Sequence, residues 1–291
     1  MLFKALGVWA VLWGAAGLAA EPSVTGKLDI QTIDAKVFPY PHGLRIWLPP
    51  GYDKPDNATK TYPVLYLLDG QNLFDRATSF AGVEWGVDET ATSLIGEGKI
   101  PPLIVVGLDN AGEKRAQEYL PYDDPFNPDA RDTKGKLFPK YLIQDVMPYV
   151  KAHYRVADGP DNTAIGGSSY GGIAALNFAI NEPFLAARIL IESPSLADGN
   201  GAWLRDTINL IRVPARIYLG MGTEETGIAP IDQMAVATAH RLAENLAAAA
   251  IPSAVHLTIG TGDKHHESAW ARRLPEALVF LYGADDGNMK K

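Results

Sequence analysis

The chain has no cysteine, which excludes a disulfide scaffold, a thiolate zinc site, an iron–sulfur cluster and a cysteine nucleophile. It also lacks an excess of positive charge. Lys and Arg number 26 against 34 Asp and Glu, a formal net charge of −8, and no stretch concentrates the basic residues. Such a chain offers little counter-charge to phosphates, so neither nucleic acid nor an anionic membrane surface is expected as a partner. Long apolar runs are missing except at the N-terminus. There Lys4 precedes an apolar stretch that ends on Gly17, Ala19 and Ala20, followed by the polar Glu21-Pro22. A run of about 16 apolar residues is short for a hydrocarbon core of ~30 Å, and its small-residue end suits a signal peptidase. Residues 1–20 are therefore expected to be a secretory signal. The expected product is exported, periplasmic or secreted, with no stable membrane insertion once the signal is cleaved.

What remains is globular. Hydrophobic residues make up 47% and charged residues 21%, proportions that exclude a disordered chain. No Pro/Ser-rich linker divides residues 21–291, so they are expected to form a single domain. Eight segments read as strands. Leu28-Asp-Ile-Gln-Thr-Ile and Leu44-Arg-Ile-Trp-Leu alternate, whereas Val64-Leu-Tyr-Leu-Leu and Ile104-Val-Val-Gly-Leu are continuous apolar runs, as strands covered on both faces require. Thr163-Ala-Ile, Arg188-Ile-Leu-Ile, Ala215-Arg-Ile-Tyr-Leu and Ala254-Val-His-Leu-Thr-Ile complete the set. Helical patterns lie between them near 87–97, 138–154, 171–181, 231–250 and 269–282. Strands alternating with helices predict an α/β fold, a mostly parallel eight-stranded sheet with helices on both faces. The stretch Asn110–Lys136, dense in Asp, Asn and Pro, is expected to be irregular. A loop of that length is usually functional or disordered.

Gly167-Ser168-Ser169-Tyr170-Gly171 fits G-x-S-x-G with Ser169 at its centre. The pattern alone is cheap, but a short strand precedes it and a helical run from Ile173 follows. A strand, tight turn and helix in that order hold a serine hydroxyl above the sheet edge with a helix N-terminus behind it. Neither a P-loop lysine nor a full G-x-G-x-x-G is present, which disfavours a phosphate-binding turn. A serine nucleophile needs a base, and the base an orienting acid. His240 falls in a helical pattern and His256 in a strand, whereas His265 and His266 sit in a loop after the last strand. That is where a base reaching the sheet's carboxyl edge should arise. For the acid, the seventh strand runs into Gly220-Met-Gly-Thr-Glu224-Glu225, and either carboxylate lies just past a strand end. The acidic run from Asp123 to Asp132 lacks the glycine and spacing of a calcium loop. No metal and no cofactor are expected.

Together these motifs resemble the esterase branch of the α/β-hydrolases, which includes siderophore trilactone esterases and feruloyl or acetyl-xylan esterases. The resemblance rests on Tyr62-Pro-Val-Leu-Tyr-Leu-Leu-Asp-Gly-Gln-Asn-Leu-Phe, on Val105-Val-Gly-Leu-Asp-Asn with Arg115 and Glu118-Tyr119-Leu-Pro, and on Gly166-Gly-Ser-Ser-Tyr-Gly-Gly. Gly222-Thr-Glu-Glu225 and His265-His-Glu-Ser-Ala-Trp270 with Arg273-Leu-Pro-Glu-Ala-Leu complete it. It implies the α/β-hydrolase fold and an acyl-enzyme on Ser169, with His265 as base and Glu225 as acid, Glu224 standing as the alternative. It also implies an oxyanion hole from the N–H of Tyr170 and one in the Gly70-Gln71 turn, taken as that of Gln71, and it marks Trp85 and Arg115 as pocket residues. An arginine there would favour an anionic acyl or catecholate group. Two positions depart from the family pattern: His266 replaces an Asn and Leu68 a His, both assigned to the pocket wall. The implied substrate is a small-molecule ester, a siderophore trilactone or an aryl or acyl sugar ester. A secreted acyltransferase and a non-catalytic binding protein are the alternatives that the same scaffold supports.

Overall fold

In the computed structural model, the described residues are 23–80, 82–124, 127–196, 216–249 and 254–284. The signal expected at residues 1–20 lies outside them. All eight predicted strands form: β1 (Lys27–Ile33), β2 (His42–Leu48), β3 (Val64–Leu68), β4 (Ile104–Leu108), β5 (Thr163–Ser168), β6 (Arg188–Glu192), β7 (Arg216–Gly222) and β8 (Ala254–Gly260). They make one sheet in the order β1-β2-β4-β3-β5-β6-β7-β8. β1 and β2 run antiparallel, β2 is antiparallel to β4, and every later pairing is parallel. The two continuous apolar runs became β3 and β4, and every residue of both is buried.

The helices are α1 (Val87–Gly96), α2 (Arg115–Tyr119), α3 (Phe138–Tyr141), α4 (Met147–His153), α5 (Tyr170–Asn181), α6 (Ala229–Ala247) and α7 (Glu267–Tyr282). Strand alternation divides the core between the two faces of the sheet. Leu65 and Leu67 of β3 pack with Leu94 of α1 and Leu274 and Leu278 of α7. Val64, Tyr66 and Leu68 pack instead with the cluster that holds Ile173 and Phe178 of α5 and Leu242 of α6. From Gly171 to Ala179 every residue of α5 is buried, as befits a helix enclosed on all sides rather than an amphipathic one.

Two expectations need correction. The single helix near 138–154 is α3 and α4 joined by a π turn over Leu142–Val146. Pro148, which has no N–H to donate, stands at the start of α4 and breaks the regular ladder there. The stretch Asn110–Lys136 is not irregular throughout. It contains α2, whose Ala116, Glu118 and Tyr119 are buried, and Glu118 reaches His42 of β2 at 3.0 Å. A five-residue helix is too short to leave a periodic signature.

β5 runs three residues beyond the predicted Thr163-Ala-Ile, through Gly166, Gly167 and Ser168. The chain then turns sharply into α5, so close that a Cβ on Gly167 would lie 2.7 Å from the carbonyl carbon of Gly171. Gly167→Ala should therefore cost about 1–3 kcal/mol through overpacking. Gly96→Ala is the control, because nothing lies within 4 Å of a Cβ built there, and it should be neutral or slightly stabilising. Urea denaturation of both variants measures the contrast, and equal effects would contradict the packing argument.

Candidate active site

Ser169 sits at the turn between β5 and α5 with φ 57° and ψ −124°. A side-chain-bearing residue there carries strain of order 1–3 kcal/mol. The turn is held from both sides: the Ser169 N–H donates to the carbonyl of Glu192 on β6 at 2.9 Å, and the N–H of Ile173 donates to the Ser169 carbonyl at 3.2 Å. The hydroxyl stands at the N-terminus of α5, where the helix dipole is positive, and 3.5 Å from the hydroxyl of Ser195.

Glu225 lies three residues past the end of β7, in a loop that folds its carboxylate inward. Oε1 accepts from the N–H of Gly222 at 2.5 Å and from the Ser193 hydroxyl at 2.7 Å; Oε2 lies 2.7 Å from Nδ1 of His265. Burial pushes this carboxyl's pKa up, but the hydrogen bonds from His265, Ser193 and Gly222 together hold it below its ordinary value. Of the two adjacent glutamates, Glu225 is the one whose carboxylate meets His265. Glu224 is exposed and contributes its backbone N–H, to the Asp263 carbonyl at 2.9 Å. His265 stands edge-on to Trp270, with ring centroids 5.2 Å apart and an interplanar angle of 88°. With a carboxylate on Nδ1, the neutral ring carries its proton there and leaves Nε2 as the acceptor.

Glu225 and His265 share a support. The indole N–H of Trp270 donates to the Ser193 hydroxyl at 3.0 Å, and that hydroxyl donates to Glu225. Behind them Arg273 donates twice to Glu192 Oε2, at 3.0 and 2.7 Å, and also binds Asp263 in the loop that carries His265. Burial pushes the Glu192 carboxyl up to about 7, against the pull of Arg273. Ser193, Glu192 and Asp263 belong to no sequence pattern. Their only signal is position, at the carboxyl end of a strand or in the histidine loop.

Ser169 and His265 open onto one cleft of about 610 Å³ that Gln71, Phe80, Asn110, Arg115 and Trp270 also line. Gln71 lies in the single turn Gly70–Asn72 after β3, entered through Asp69 at φ 59°. Its carbonyl accepts from the Thr78 hydroxyl at 2.8 Å and its side-chain oxygen from the N–H of Asn110 at 3.1 Å. Tyr170 is the first residue of α5. Arg115 reaches the cleft wall with its guanidinium already bonded to Asp69 at 2.7 and 2.8 Å.

The other predicted wall residues divide. Trp85 is 2% exposed, buried in the core on Trp270 with ring centroids 5.6 Å apart, and does not line the cleft. Leu68 does not line it either, because strand alternation points it to the α5 side, where a Cβ on Gly171 would touch it at 3.2 Å. His266 does line the cleft, and it also caps α7 by accepting from the N–H of Ser268 at 3.1 Å. His240 is exposed on α6, and His256 on β8 pairs with Glu276 at 2.8 Å. Among the described residues no group of three or more His, Asp and Glu is arranged to hold a metal ion, and no helix is long and apolar enough to cross a membrane.

Comparison with known proteins places this architecture. The iron(III) enterobactin esterase of Dickeya dadantii (strain 3937) is 28% identical over 261 residues, 83% of this chain and 52% of that protein. The chain thus spans about half the length of that relative. The siderophore hydrolase EstA from Aspergillus nidulans superposes with a TM-score of 0.70 at 19% identity, covering 96% of this chain and 99% of the other. A ferulic acid esterase does so with a TM-score of 0.63 at 18% identity, covering 88% and 98%. At those identities the structural likeness shows the shared fold. The model of the Esterase family, described as "Putative esterase", matches residues 36–281. The chain belongs to that family, carboxylic ester hydrolases of the α/β-hydrolase type.

Proposed function

We propose that the protein hydrolyses a carboxylic ester through an acyl-enzyme on Ser169, with His265 as general base and Glu225 as its orienting acid. The observation that carries this reading is the 2.7 Å contact between His265 Nδ1 and Glu225 Oε2, made in the cleft that Ser169 also lines. Ser169 Oγ attacks the ester carbonyl carbon while His265 Nε2 takes the hydroxyl proton. Glu225 stabilises the imidazolium that results. The N–H groups of Tyr170 and Gln71 receive the negative charge that develops on the carbonyl oxygen. Collapse of the tetrahedral intermediate breaks the ester C–O bond, and the departing alkoxide takes the proton from His265. Water then attacks the acyl-enzyme, His265 accepts its proton and returns it to Ser169 Oγ, and the acid is released.

The exposed Phe80 ring and Trp270 supply aromatic surface to the cleft, which favours an ester with an aromatic or bulky apolar part. The relatives' names, enterobactin esterase, siderophore hydrolase and ferulic acid esterase, point the same way. A siderophore trilactone or an aryl or acyl sugar ester is the substrate class we assign. Export, directed by residues 1–20, would bring the enzyme to such molecules outside the cytoplasm.

Ser169→Ala and His265→Ala should each lower hydrolysis of p-nitrophenyl butyrate by at least about 10³-fold. A fluorophosphonate probe should label the wild type at Ser169. Activity that survives Ser169→Ala would sink the mechanism.

Glu225→Gln should lower kcat by about 10³–10⁴-fold, while Glu224→Gln stays near wild type. The two also separate in stability. A carboxyl whose folded pKa is depressed stabilises the fold above its unfolded value of about 4.3, and that contribution is lost as pH falls through the folded value. Wild type and Glu224→Gln should therefore lose stability more steeply below about pH 4.3 than Glu225→Gln does. Parallel acid limbs for all three in urea titrations would contradict the assignment.

A further inference from the structure

Arg115 is the only lysine or arginine among the described residues that line the cleft, and Asp69 and Glu267 are its carboxylates. A lone arginine beside a nucleophile invites reading as a receptor for an anionic substrate. Its hydrogen bonds argue otherwise. Nε donates to Asp69 Oδ1 at 2.7 Å and Nη2 to Asp69 Oδ2 at 2.8 Å. That is the two-pronged edge with which a guanidinium grips a carboxylate, and it is already engaged. Asp69 is 4% exposed, and Oδ1 also accepts from the side-chain amide of Asn110 at 2.6 Å.

Asp69 is the left-handed residue through which β3 enters the Gly70–Asn72 turn, so its position fixes where the Gln71 N–H points. Its own N–H donates to the Tyr119 hydroxyl at 3.2 Å. The guanidinium lies over two rings at once, 5.4 Å from the centroid of Tyr119 and 5.2 Å from that of Tyr170. Tyr170 follows Ser169 and heads α5. One side chain thus contacts the side chains of Asp69, at the entry to the Gln71 turn, and of Tyr170, at the start of α5. Its base, α2, is seated by the buried contact of Glu118 with His42 at 3.0 Å.

We infer that Arg115 is a positioning residue that braces the Gln71 turn against the start of α5, and that the cleft accordingly accepts esters whose acyl group is uncharged. This rests on the serine esterase reading above and adds to it the charge class of the substrate. An anionic acyl group would meet Glu267 and find no unpaired lysine or arginine on the described wall.

The test compares Arg115→Ala, Arg115→Lys, Asp69→Asn and Ser169→Ala with the wild type. Substrates are p-nitrophenyl butyrate and the anionic mono-p-nitrophenyl succinate, and Ser169 labelling by a fluorophosphonate is followed in parallel. Bracing predicts that the wild type prefers the neutral ester. Arg115→Ala, Arg115→Lys and Asp69→Asn should each lower kcat on both esters by about 10–10²-fold, a fraction of the effect of losing a whole oxyanion donor. KM should change little and the neutral-to-anionic ratio should stay constant. Lysine keeps the charge without the two-pronged grip, so it should fail as alanine does. An Arg115→Ala, Asp69→Asn double variant should be no slower than the worse single one, because the pair acts as a unit. Phosphonate labelling should slow in step with kcat.

A wild-type preference for the succinate ester that Arg115→Ala abolishes through KM and Arg115→Lys retains would overturn the inference. So would unchanged kcat in Asp69→Asn. Should Arg115→Ala fail to fold by circular dichroism, the Lys and Asn variants decide alone. Failure of the parent reading looks different: a wild type that no phosphonate labels, or full activity in Ser169→Ala.

Discussion

The approach of Gly167 to Gly171 is the constraint on which the site depends. Strand and helix meet so closely there that a Cβ on Gly167 would collide with the Gly171 backbone, while one on Gly171 would crowd Asp69 and Leu68 at the end of β3. The residue between them is forced into a conformation that L-amino acids avoid. Strain of this kind persists only when the surroundings over-determine it. Here they do, because β6 catches the Ser169 N–H from one side and nine consecutive buried residues of α5 anchor the other. The parallel sheet provides both. Its central strands are covered on two faces, so their carboxyl ends emerge at one edge as short, rigid stubs.

Two of those stubs lead to a carboxylate that an arginine grips. β3 leads into Asp69, held by Arg115; β6 ends on Glu192, held by Arg273. Buried ion pairs contribute little net stability, since desolvation offsets most of their attraction. What a two-pronged pair supplies is direction. The Arg115 pair fixes the Gly70–Asn72 turn. The Arg273 pair reaches Asp263 and Ser193, and so ties together the loop of His265 and the carboxylate of Glu225. Each pair lies on one flank of Ser169, and each draws its arginine from a helix that packs on a different face of the sheet.

How much of this the sequence disclosed follows from the range of each signal. β3 and β4 were legible because a continuous apolar run bounded by Pro63 and Asp69, or by Pro102 and Asp109, has little freedom to shift. Ser169 and His265 could be nominated from a strand end and a loop at fixed places in the chain order, and both line one cleft. Glu225 could not be separated from Glu224 by residue type, since two adjacent carboxylates differ only in which way the loop turns them. α2 went unseen because five residues carry no period. Trp85 and Leu68 were misplaced for a common reason. Residues near a site in sequence have two faces to choose between, and Trp270 for the one and strand alternation for the other turned them to the core. The Ser193–Arg273 support was invisible because it joins β6 to α7 across 80 residues.

The two arginines also bear on how an acidic chain holds the carboxylate of Glu225 beside a histidine. Glu192 and Glu225 lie close enough that each raises the cost of ionising the other, and burial adds to that cost. Glu225 nonetheless stays below its ordinary range, because it collects three hydrogen bonds while the Arg273 charge falls mainly on Glu192. The division assigns the cation to the carboxylate that does no proposed chemistry. It leaves Glu225 to be held by dipoles and by His265. A guanidinium placed directly on Glu225 would compete with the imidazolium that the proposed reaction must stabilise, and would weaken the histidine as a base. Arg115 follows the same rule on the other flank. Its charge is taken up by Asp69 rather than aimed at Ser169, so in the proposed reaction the stabilising field is left to backbone N–H groups and the α5 dipole. Those are sources that need no reorganisation when charge moves to the carbonyl oxygen.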